Sequence, residues 1–250
     1  MERWQGRVAF VTGASAGIGE AIVEDLVGSG MVVVGVARRE ERLKDIKERL
    51  KEKPGTFHPI KCDITKEEDV KRTFTWVKES LGGVDVLVNN AGIFIRAQTC
   101  DGDVEEWRRM FDINVFALGS CSREALISMR ERNIDDGHII NINSVASHRI
   151  GDISGVGPYS SSKHASKCFT EGLRRELASQ KSKIKVTSIS PGVVDTEIFE
   201  ANNAFPGGMD MSGRANLKSK DIADAVHYVL ATPPHVQITE LTIRPVGDGV

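Results

Sequence analysis

The stretch RVAFVTGASAGIG, from Arg7 to Gly19, decides the fold. Its first half, Arg7–Thr12, is a short β-branched and apolar run, which predicts a buried strand. Its second half carries glycines at positions 13, 17 and 19 and then opens a helical pattern. Such glycines let the backbone turn tightly and approach a pyrophosphate, which would rest on the N-terminus of the helix. The spacing G-x-x-x-G-x-G is not the usual G-x-G-x-x-G, so the turn alone also fits a glycine-rich turn without a ligand.

The alternation of short apolar runs with longer amphipathic ones continues along the chain. Further strands are predicted at Met31–Ala37, Phe57–Lys61, Val84–Val88, His138–Ser144, Ile184–Ser190 and Ile238–Arg244. Helices are predicted at Glu40–Glu52, Glu67–Leu81, Val104–Arg132, Tyr159–Ser179 and Lys220–Leu230. This pattern predicts an α/β protein with a Rossmann-like, doubly wound parallel sheet of about seven strands flanked by helices.

The chain length of 250 residues fits one α/β domain, so residues 1–250 are predicted to form a single dinucleotide-binding and catalytic domain. The region from Asp195 to Ser219 is rich in Gly, Asn and Met and has no clear period. A loop of this length in a compact domain is usually functional, so we predict a substrate lid at residues 196–218.

Composition excludes several classes of protein. The net charge of -2 gives no electrostatic footprint for nucleic acid or for an anionic membrane. No apolar run approaches the ~20 residues that span a bilayer, and the opening MERW does not resemble a secretory signal. The four cysteines are scattered, without a C-x-x-C pair: Cys62, Cys100, Cys121 and Cys168. We therefore expect a cytoplasmic protein with reduced thiols and no metal site.

The end of the second strand indicates which dinucleotide is bound. An NAD site carries a carboxylate there for the ribose 2′-hydroxyl, whereas this chain has Ala37 followed by Arg38 and Arg39. A guanidinium grips a phosphate bidentately. Cations at a helix N-terminus are disfavoured by roughly 0.3–1 kcal/mol each, which favours an anion beside them. We predict NADP(H) rather than NAD(H). The alternative is that both arginines merely begin the charged helix face to which Arg42 is assigned.

Tyr159 and Lys163 lie four residues apart in the segment GPYSSSKHASK. On a helix these positions share one face, so both side chains are expected at one site. A phenol has a pKa near 10, and a nearby ammonium favours the phenolate and lowers that pKa. The pair is suited to exchange a proton with an alcohol or carbonyl oxygen, but a lone Y-x-x-x-K also fits a structural helix. Ser144, at the end of the strand HIININS, adds a hydroxyl that could stabilise charge on that oxygen.

The motifs TGASAGIG, CDIT, NNAG, YSSSK and SPGVVDT follow one another in this order. Together they resemble the short-chain dehydrogenase/reductase family over essentially the whole chain. The resemblance implies an oxidoreductase that uses NADP(H). It also implies that Tyr159 is the acid/base, that Lys163 lowers the pKa of Tyr159 and holds the nicotinamide ribose, and that Ser144 orients the carbonyl. Asn114, in FDINVFA, would support a water-linked proton relay to the lysine.

The resemblance further implies a set of cofactor-binding residues. They are Gly13, Ser15, Gly17, Ile18 and Gly19 at the pyrophosphate, Arg38 and Arg39 at the 2′-phosphate, Asp63 and Ile64 at the adenine, Asn90, Ala91 and Gly92 at the ribose, and Pro191, Gly192, Val194 and Thr196 at the carboxamide. Two departures stand out. Position 16 is Ala, where many NADP(H)-dependent members carry a basic residue, and Ser144 and Tyr159 are 15 positions apart, slightly more than is commonest.

The segments MERW, NIDDGHIININS and PPHVQITELTIRP resemble the dehydrogenase/reductase member 11 subgroup, whose insect relatives are farnesol dehydrogenase-like. This implies a lipophilic alcohol or its carbonyl as substrate, for example an isoprenoid such as farnesol or a steroid. Apolar residues after NNAG and in the lid suit an oily ligand, but they equally suit packing of the lid onto the body. They are Ile93, Phe94, Ile95, Phe199, Phe205, Met209 and Met211.

Two alternative functions remain open at this point. One is a broad carbonyl or diketone reductase of the same family, and the other is a non-catalytic module that senses NADP(H). The resemblance also implies self-association. The segments Val104–Arg132 and Tyr159–Ser179 could each present a second apolar face to a neighbouring subunit, giving a homodimer or homotetramer.

Overall fold

The structure is a computed structural model that describes residues 1–200 and 215–247. Within these residues seven parallel strands form one sheet in the order β3-β2-β1-β4-β5-β6-β7. The strands are β1 Val8–Thr12, β2 Val32–Ala37, β3 Thr56–Lys61, β4 Val86–Asn89, β5 His138–Ile142, β6 Lys185–Pro191 and β7 Glu240–Ile243. The α-helices are α1 Gly17–Gly28, α2 Glu40–Arg49, α3 Glu67–Leu81, α4 Val104–Phe111, α5 Leu118–Glu131, α6 Gly157–Ser179 and α7 Ser219–Ala231. The predicted fold class is confirmed.

The strand order reverses beside β1. The chain runs outward from β1 through β2 to β3, and then crosses back to place β4 on the other side of β1. A doubly wound sheet forms its ligand crevice at such a reversal, outside the carboxyl ends of the strands. Thr12 and Asn89, the last residues of β1 and β4, mark this position.

Two apolar cores cover the two faces of the sheet. One is formed with α1, α2 and α7 and contains residues such as Ile22, Leu43 and Val226. The other is formed with α3, α5 and α6 and contains residues such as Phe74 and Met129. Because both faces are covered, β1 and β4 are buried along their whole length, which explains their continuous apolar sequence.

Trp4 fastens the first residues of the described chain to α7. Trp4 is fully buried, and its indole N–H donates to the carbonyl oxygen of Leu230 at 2.8 Å. The guanidinium groups of Arg3 and Arg7 lie 4.4 Å and 4.7 Å from the centre of the ring. The buried indole is therefore satisfied at its polar edge and covered by cations on its faces.

The predicted single helix Val104–Arg132 is wrong in one respect. The chain forms α4, then a π-helical turn over Asp112–Ala117, and then α5. A π-turn inserts an extra residue into the helical hydrogen-bond pattern, and the apolar period of the sequence does not reveal it. The turn contains Asn114, one of the predicted site residues.

The predicted lid lies only partly within the described residues. Its residues 201–214, and with them Phe205, Met209 and Met211, are outside the described part of the chain. The lid itself therefore stays a prediction. In residues 1–200 and 215–247 no helix combines the length and the apolar character that a bilayer crossing requires.

Candidate active site

A cleft of about 710 Å³ opens at the reversal of the sheet. Its volume is within the range of small-molecule and cofactor sites. The structure brings most of the predicted site residues together on its wall. These are Gly13, Ser15, Gly17, Ile18, Arg38, Arg39, Asp63, Ile64, Asn90, Ala91, Gly92, Tyr159, Lys163 and Thr196. The predicted residues Gly19, Asn114, Ser144, Pro191, Gly192 and Val194 do not line it.

The glycine-rich turn requires its glycines. Gly13 and Gly17 have φ angles of +67° and +57°, in the left-handed region that favours glycine. A Cβ on Gly19 would lie 2.3 Å from the carbonyl oxygen of Gly13 and 2.5 Å from the side-chain nitrogen of Asn90. Gly19 therefore lies beneath the turn and allows it to pack onto the strand behind it.

Thr12 and Asn90 join this turn to the end of β4. The Thr12 hydroxyl oxygen accepts hydrogen bonds from the backbone N–H groups of Asn90 and Ala91, each at 3.0 Å. In return, the Asn90 side chain donates to the carbonyl oxygen of Thr12 at 2.9 Å. The sequence analysis missed Thr12. Thr12 is the last residue of β1 and directly precedes the glycine-rich turn. That position in the sequence could have indicated its role.

The start of α1 has no side-chain cap. Its N-cap residue is Ala16, and no side chain accepts from the first N–H groups of the helix. These donors, together with the partial positive charge of the helix end, favour an anion at the cleft wall.

Three arginines from the end of β2 and from α2 line the cleft: Arg38, Arg39 and Arg42. Arg39 donates through Nε to the Ser15 hydroxyl at 3.2 Å, which holds it against the glycine-rich turn. Within the described residues Arg38 has neither a hydrogen-bond nor an ion-pair partner. Arg42, which the sequence analysis assigned to the charged face of the helix, also lines the cleft, and its guanidinium pairs with Glu197 at 2.7 Å.

Asp63 and Ile64 follow β3 at the same end of the cleft. One carboxylate oxygen of Asp63 accepts from the backbone N–H and the hydroxyl of Thr65, at 3.1 Å and 2.8 Å. The backbone N–H of Asp63 donates to Asp69 at 3.1 Å. These bonds fix the loop after β3, and Ile64 lies beside it on the cleft wall.

Tyr159 and Lys163 lie one turn apart on α6, and both are buried, at 9 % and 6 % exposure. Burial raises the pKa of Tyr159 to about 12, and a hydrogen bond with the Ser144 side chain opposes this rise. Burial lowers the pKa of Lys163 to about 8. The Lys163 ammonium donates to the carbonyl oxygen of Ile142 at 3.4 Å and lies 5.9 Å from the centre of the Tyr159 ring.

Lys163 is not among the groups that shift the Tyr159 pKa here, so its expected lowering of that pKa stays a prediction. The largest effect on Tyr159 is its removal from water, which disfavours the charged phenolate. The ammonium is directed at a backbone carbonyl and not at the phenol oxygen. Ser144, at the start of a 3₁₀ turn over Val145–Ser147, is the partner that favours the phenolate.

Asn114 lies behind the cleft wall. Its side chain donates to the Ser162 hydroxyl at 3.0 Å and also binds the backbone of Ile93. A Cβ on Gly92 would lie 3.3 Å from the side-chain oxygen of Asn114 and 3.5 Å from Nζ of Lys163. Asn114 and Lys163 thus flank Gly92, and the absence of a side chain there lets both approach the loop after β4.

The chain after β6 returns to the cleft at Thr196. Pro191 ends β6, and the N–H of Gly192 donates to Ile243 at 2.7 Å, so both belong to the sheet edge. Val194 is buried and forms a bridge with Leu217. Thr196 reaches the cleft, where a Cβ on Gly17 would lie 3.2 Å from its methyl group.

An apolar cluster surrounds Tyr159. The Phe94 ring packs edge-on against Tyr159 and Phe199, with centroid distances of 4.9 Å and 5.3 Å. Phe94 and Ile95 are buried, so they pack the interior, whereas Ile93 and Ile198 line the cleft. The reacting end of the cleft therefore has an apolar border.

Asn143 is a polar side chain that the sequence analysis missed. It lines the cleft next to Ser144, is 6 % exposed, and has no partner for either side-chain polar atom within the described residues. A buried amide without partners is rare, and it leaves a donor and an acceptor available to a ligand.

A sequence model of the family described as short chain dehydrogenase matches residues 7–206. The chain therefore belongs to the short-chain dehydrogenase/reductase family, as its motifs predict, and the prediction of an oxidoreductase is confirmed.

Individual relatives agree with this assignment. The chain is 51 % identical over 251 residues to farnesol dehydrogenase of Aedes aegypti, covering 99 % of each chain. It is 45 % identical over 250 residues to dehydrogenase/reductase SDR family member 11 of Bos taurus, covering 98 % of each. The predicted subgroup resemblance is thereby confirmed. A solved structure, an alcohol dehydrogenase from the archaeon Thermococcus sibiricus complexed with 5-hydroxy-NADP, superimposes with a TM-score of 0.84 at 30 % identity, covering 97 % of each chain.

Proposed function

We propose that this protein is an NADP(H)-dependent oxidoreductase that interconverts a lipophilic alcohol and its carbonyl compound. One observation carries the proposal. Tyr159, whose phenolate the Ser144 side chain favours and which lies one helical turn from Lys163, lines the same cleft as a glycine-rich turn and three arginines. Proton-transfer groups at one end and phosphate-binding groups at the other match the two ends of a nicotinamide dinucleotide.

The residues of the cleft fit that cofactor. The uncapped start of α1 and the close-packed turn at Gly13, Gly17 and Gly19 suit a pyrophosphate. Arg38, Arg39 and Arg42 suit the 2′-phosphate, and Asp63 with Ile64 would border the adenine. Asn90, Ala91 and Gly92 would border the ribose, and Lys163 would hold the nicotinamide ribose. The Thermococcus sibiricus relative, complexed with 5-hydroxy-NADP, supports the same choice of nucleotide.

The residues after β6 complete the proposed cofactor site. Pro191, Gly192 and Val194 are fixed by the sheet edge and by the bridge to Leu217. We assign them, with Thr196 on the cleft wall, to the nicotinamide carboxamide. The unpartnered amide of Asn143 lines the same cleft as Tyr159 and offers a further polar contact to a ligand.

When bound, the nicotinamide accepts or supplies a hydride. In reduction, the Tyr159 hydroxyl donates its proton to the substrate oxygen, and Ser144 donates a hydrogen bond to the same oxygen. Because burial raises the pKa of Tyr159 to about 12, the phenol is protonated at neutral pH and is ready to donate. This protonation state favours carbonyl reduction at neutral pH, while alcohol oxidation requires the phenolate and is favoured at higher pH.

Lys163 and Asn114 support that proton transfer. Once the proton leaves Tyr159, the Lys163 ammonium stabilises the negative phenolate, and this requires Lys163 to keep its proton. Its pKa of about 8 leaves it mainly cationic at neutral pH. Asn114 holds the loop at Gly92 beside Lys163, which is where a water-linked relay to solvent would begin.

The proposed substrate is an isoprenoid alcohol such as farnesol, or another lipophilic alcohol such as a steroid. The apolar border of the cleft at Ile93 and Ile198, next to the Phe94 cluster, supports a hydrocarbon chain beside Tyr159. The Aedes aegypti farnesol dehydrogenase, similar over its full length, supports the isoprenoid among these candidates.

The test of this function combines a substrate screen with one variant. NADPH or NADP⁺ turnover is measured with farnesol, farnesal, steroids and small diketones. The Tyr159→Phe change keeps the ring and removes the proton, so kcat should fall by at least about 10²-fold while NADP⁺ binding by fluorescence titration persists. Wild-type turnover in that variant would exclude the mechanism. Best activity on diketones would favour a broad carbonyl reductase, and no turnover on any compound would favour a sensing module.

We also propose that the protein self-associates through α5 and α6. Phe116, Ile127 and Phe169 are exposed at 68 %, 38 % and 40 %, on the π-turn and on these two helices. Light scattering after size exclusion should give a dimer or tetramer, and Phe116→Glu should shift it towards the monomer. A wild-type monomer at micromolar concentration would contradict this proposal.

A further inference from the structure

Glu197 bridges two of the cleft arginines. Its carboxylate accepts from Arg39 at 2.8 Å, and from Arg42 at 2.7 Å and 2.9 Å through its two oxygens. Glu197 lies in the segment after β6, more than 150 positions from its partners along the chain. An acid from a distant segment therefore occupies the guanidinium groups at the end of β2 and the start of α2.

The contact has the chemistry of a phosphate site. A guanidinium binds carboxylate and phosphate oxygens with the same charge-assisted, forked geometry. Hydrogen bonds from Arg39 and Arg42 lower the pKa of Glu197, so it is ionised at neutral pH. Ser15, in the glycine-rich turn, holds Arg39 on the cleft side through its Nε. The two arginines are thus presented to an anion beside the proposed pyrophosphate turn.

We infer that Glu197 occupies Arg39 and Arg42, two of the three arginines of the proposed 2′-phosphate site, as an internal competitor, so that Glu197 sets how strongly the protein discriminates NADP(H) from NAD(H). This inference rests on the proposed function. A 2′-phosphate would compete with Glu197 for the N–H donors of these guanidinium groups and would be repelled by its like charge, so we expect the phosphate to bind best once Glu197 has left them. A nucleotide without that phosphate leaves the ion pairs intact.

The strength of 2′-phosphate binding depends on how often Glu197 has left the arginines. The apparent affinity for a 2′-phosphate equals its intrinsic affinity multiplied by the fraction of molecules in which Glu197 has left the arginines. The three side chains are about half exposed, at 45–47 %, so solvent screens the pairs and the penalty is modest. Removing the competing carboxylate should therefore tighten 2′-phosphate binding roughly three- to tenfold.

The experiment is calorimetric titration of the full chain with adenosine 2′,5′-bisphosphate and with 5′-AMP, two probes that differ only in the 2′-phosphate. Glu197→Gln should bind the bisphosphate more tightly than wild type and bind 5′-AMP unchanged. Asp195→Asn is the matched control: it removes the same charge from the same segment, at an exposed side chain that does not line the cleft. It should leave both affinities at the wild-type value.

A second pair of variants tests the role of Arg42. Arg42→Gln should weaken the bisphosphate roughly tenfold and leave 5′-AMP unchanged. Lys44→Gln, which removes a charge paired with Glu40 and Glu41 on the same helix, should change neither. Equal bisphosphate affinity in Arg42→Gln and wild type would remove Arg42 from the site.

The outcomes separate this inference from the proposed function. Equal wild-type affinity for the two probes would contradict the NADP(H) site itself. A wild-type preference for the bisphosphate that does not increase in Glu197→Gln, or that increases equally in Asp195→Asn, would leave the cofactor assignment standing and overturn the competition by Glu197.

Discussion

The side chain of Asn114 holds Ile93 by both of its backbone groups. The Asn114 amide oxygen accepts from the Ile93 N–H at 2.9 Å, and the amide nitrogen donates to the Ile93 carbonyl at 3.0 Å. An asparagine side chain is suited to this pairing because it carries a donor and an acceptor side by side. The bond pair fixes the loop after β4, and that loop carries Gly92 against Lys163.

Replacing Asn114 should therefore affect stability and catalysis together. Asn114→Ala leaves two partly buried backbone groups of Ile93 unpaired, and should lower the free energy of unfolding by about 1–3 kcal/mol. If Asn114 also supports a proton relay, kcat should fall more than kcat/KM for the cofactor, and its pH profile should shift. Urea denaturation and pH-dependent kinetics measure the two effects. An unchanged pH profile with lowered stability would leave Asn114 a purely structural role.

We expect the burial of the Lys163 ammonium to lower the free energy of unfolding, although the proposed proton transfer needs this residue. Burial lowers its pKa from 10.5 to about 8, so between these values the unfolded chain binds more protons than the folded one. The free energy of unfolding should therefore rise with pH from about 8 to 10.

Lys163→Met should abolish turnover and stabilise the protein at pH 7 by up to about 3 kcal/mol. In this variant the rise between pH 8 and 10 should be absent. Urea denaturation at several pH values compares the two proteins. A less stable Met variant at pH 7 would show that the ammonium contributes more through its bond to Ile142 than its burial costs.

Gly19 should tolerate no side chain. In Gly19→Ala the new Cβ would contact the Gly13 carbonyl and the Asn90 amide, both of which are held by other bonds. We expect a loss of about 1–3 kcal/mol in the free energy of unfolding and weaker binding of NADP⁺.

Gly28→Ala is the matched control on the same helix, because a Cβ there meets nothing within 4 Å. It should be neutral or stabilise by about 0.5–1 kcal/mol. Urea denaturation and fluorescence titration measure both variants. Similar behaviour of the two would mean that the turn can relax.

His138 should make the protein sensitive to mild acid. It is buried on β5, with Nε2 at 2.8 Å from the Thr187 hydroxyl, and burial lowers its pKa to about 3. Below pH 6.5 His138 becomes protonated in the unfolded chain but stays neutral in the folded one. The free energy of unfolding therefore falls as the pH falls.

The slope should approach about 1.4 kcal/mol per pH unit for this one group below its unfolded pKa. His138→Gln keeps a hydrogen-bonding side chain without a charge, and should lose this slope between pH 6.5 and 5. Urea denaturation over that range compares the two proteins. The same slope in both would assign the acid sensitivity to other groups.

The sequence predicts the strands and helices well where local chemistry decides them. Glu67–Leu81 has the same bounds in the structure as in the sequence analysis, because an apolar stripe and a following glycine define it. The strand predicted at His138–Ser144 ends at Ile142, since Ser144 begins a 3₁₀ turn and its side chain accepts from the N–H of Ala146. Such endings depend on turns and side-chain hydrogen bonds, which the apolar pattern does not contain.

In the candidate site, too, local features can be predicted from the sequence and tertiary contacts cannot. Tyr159, Lys163 and the glycines are recognisable because their spacing follows from one helix or one turn. The partnership of Arg42 with Glu197 joins positions 155 apart, and nothing in the local sequence indicates it. The rise in the Tyr159 pKa is also a property of the packed protein, because it depends on how much water surrounds the ring.

The bond between Trp4 and Leu230 has a consequence for biosynthesis. Its two partners are 226 positions apart, and ribosomes add about 5–20 residues per second, so roughly 10 to 50 seconds separate their appearance. During that interval the indole lacks the surroundings that later enclose it, and the emerging chain presents an apolar ring to the cell. We expect the yield of native protein to depend on translation speed and on chaperones that shield the segment around Trp4.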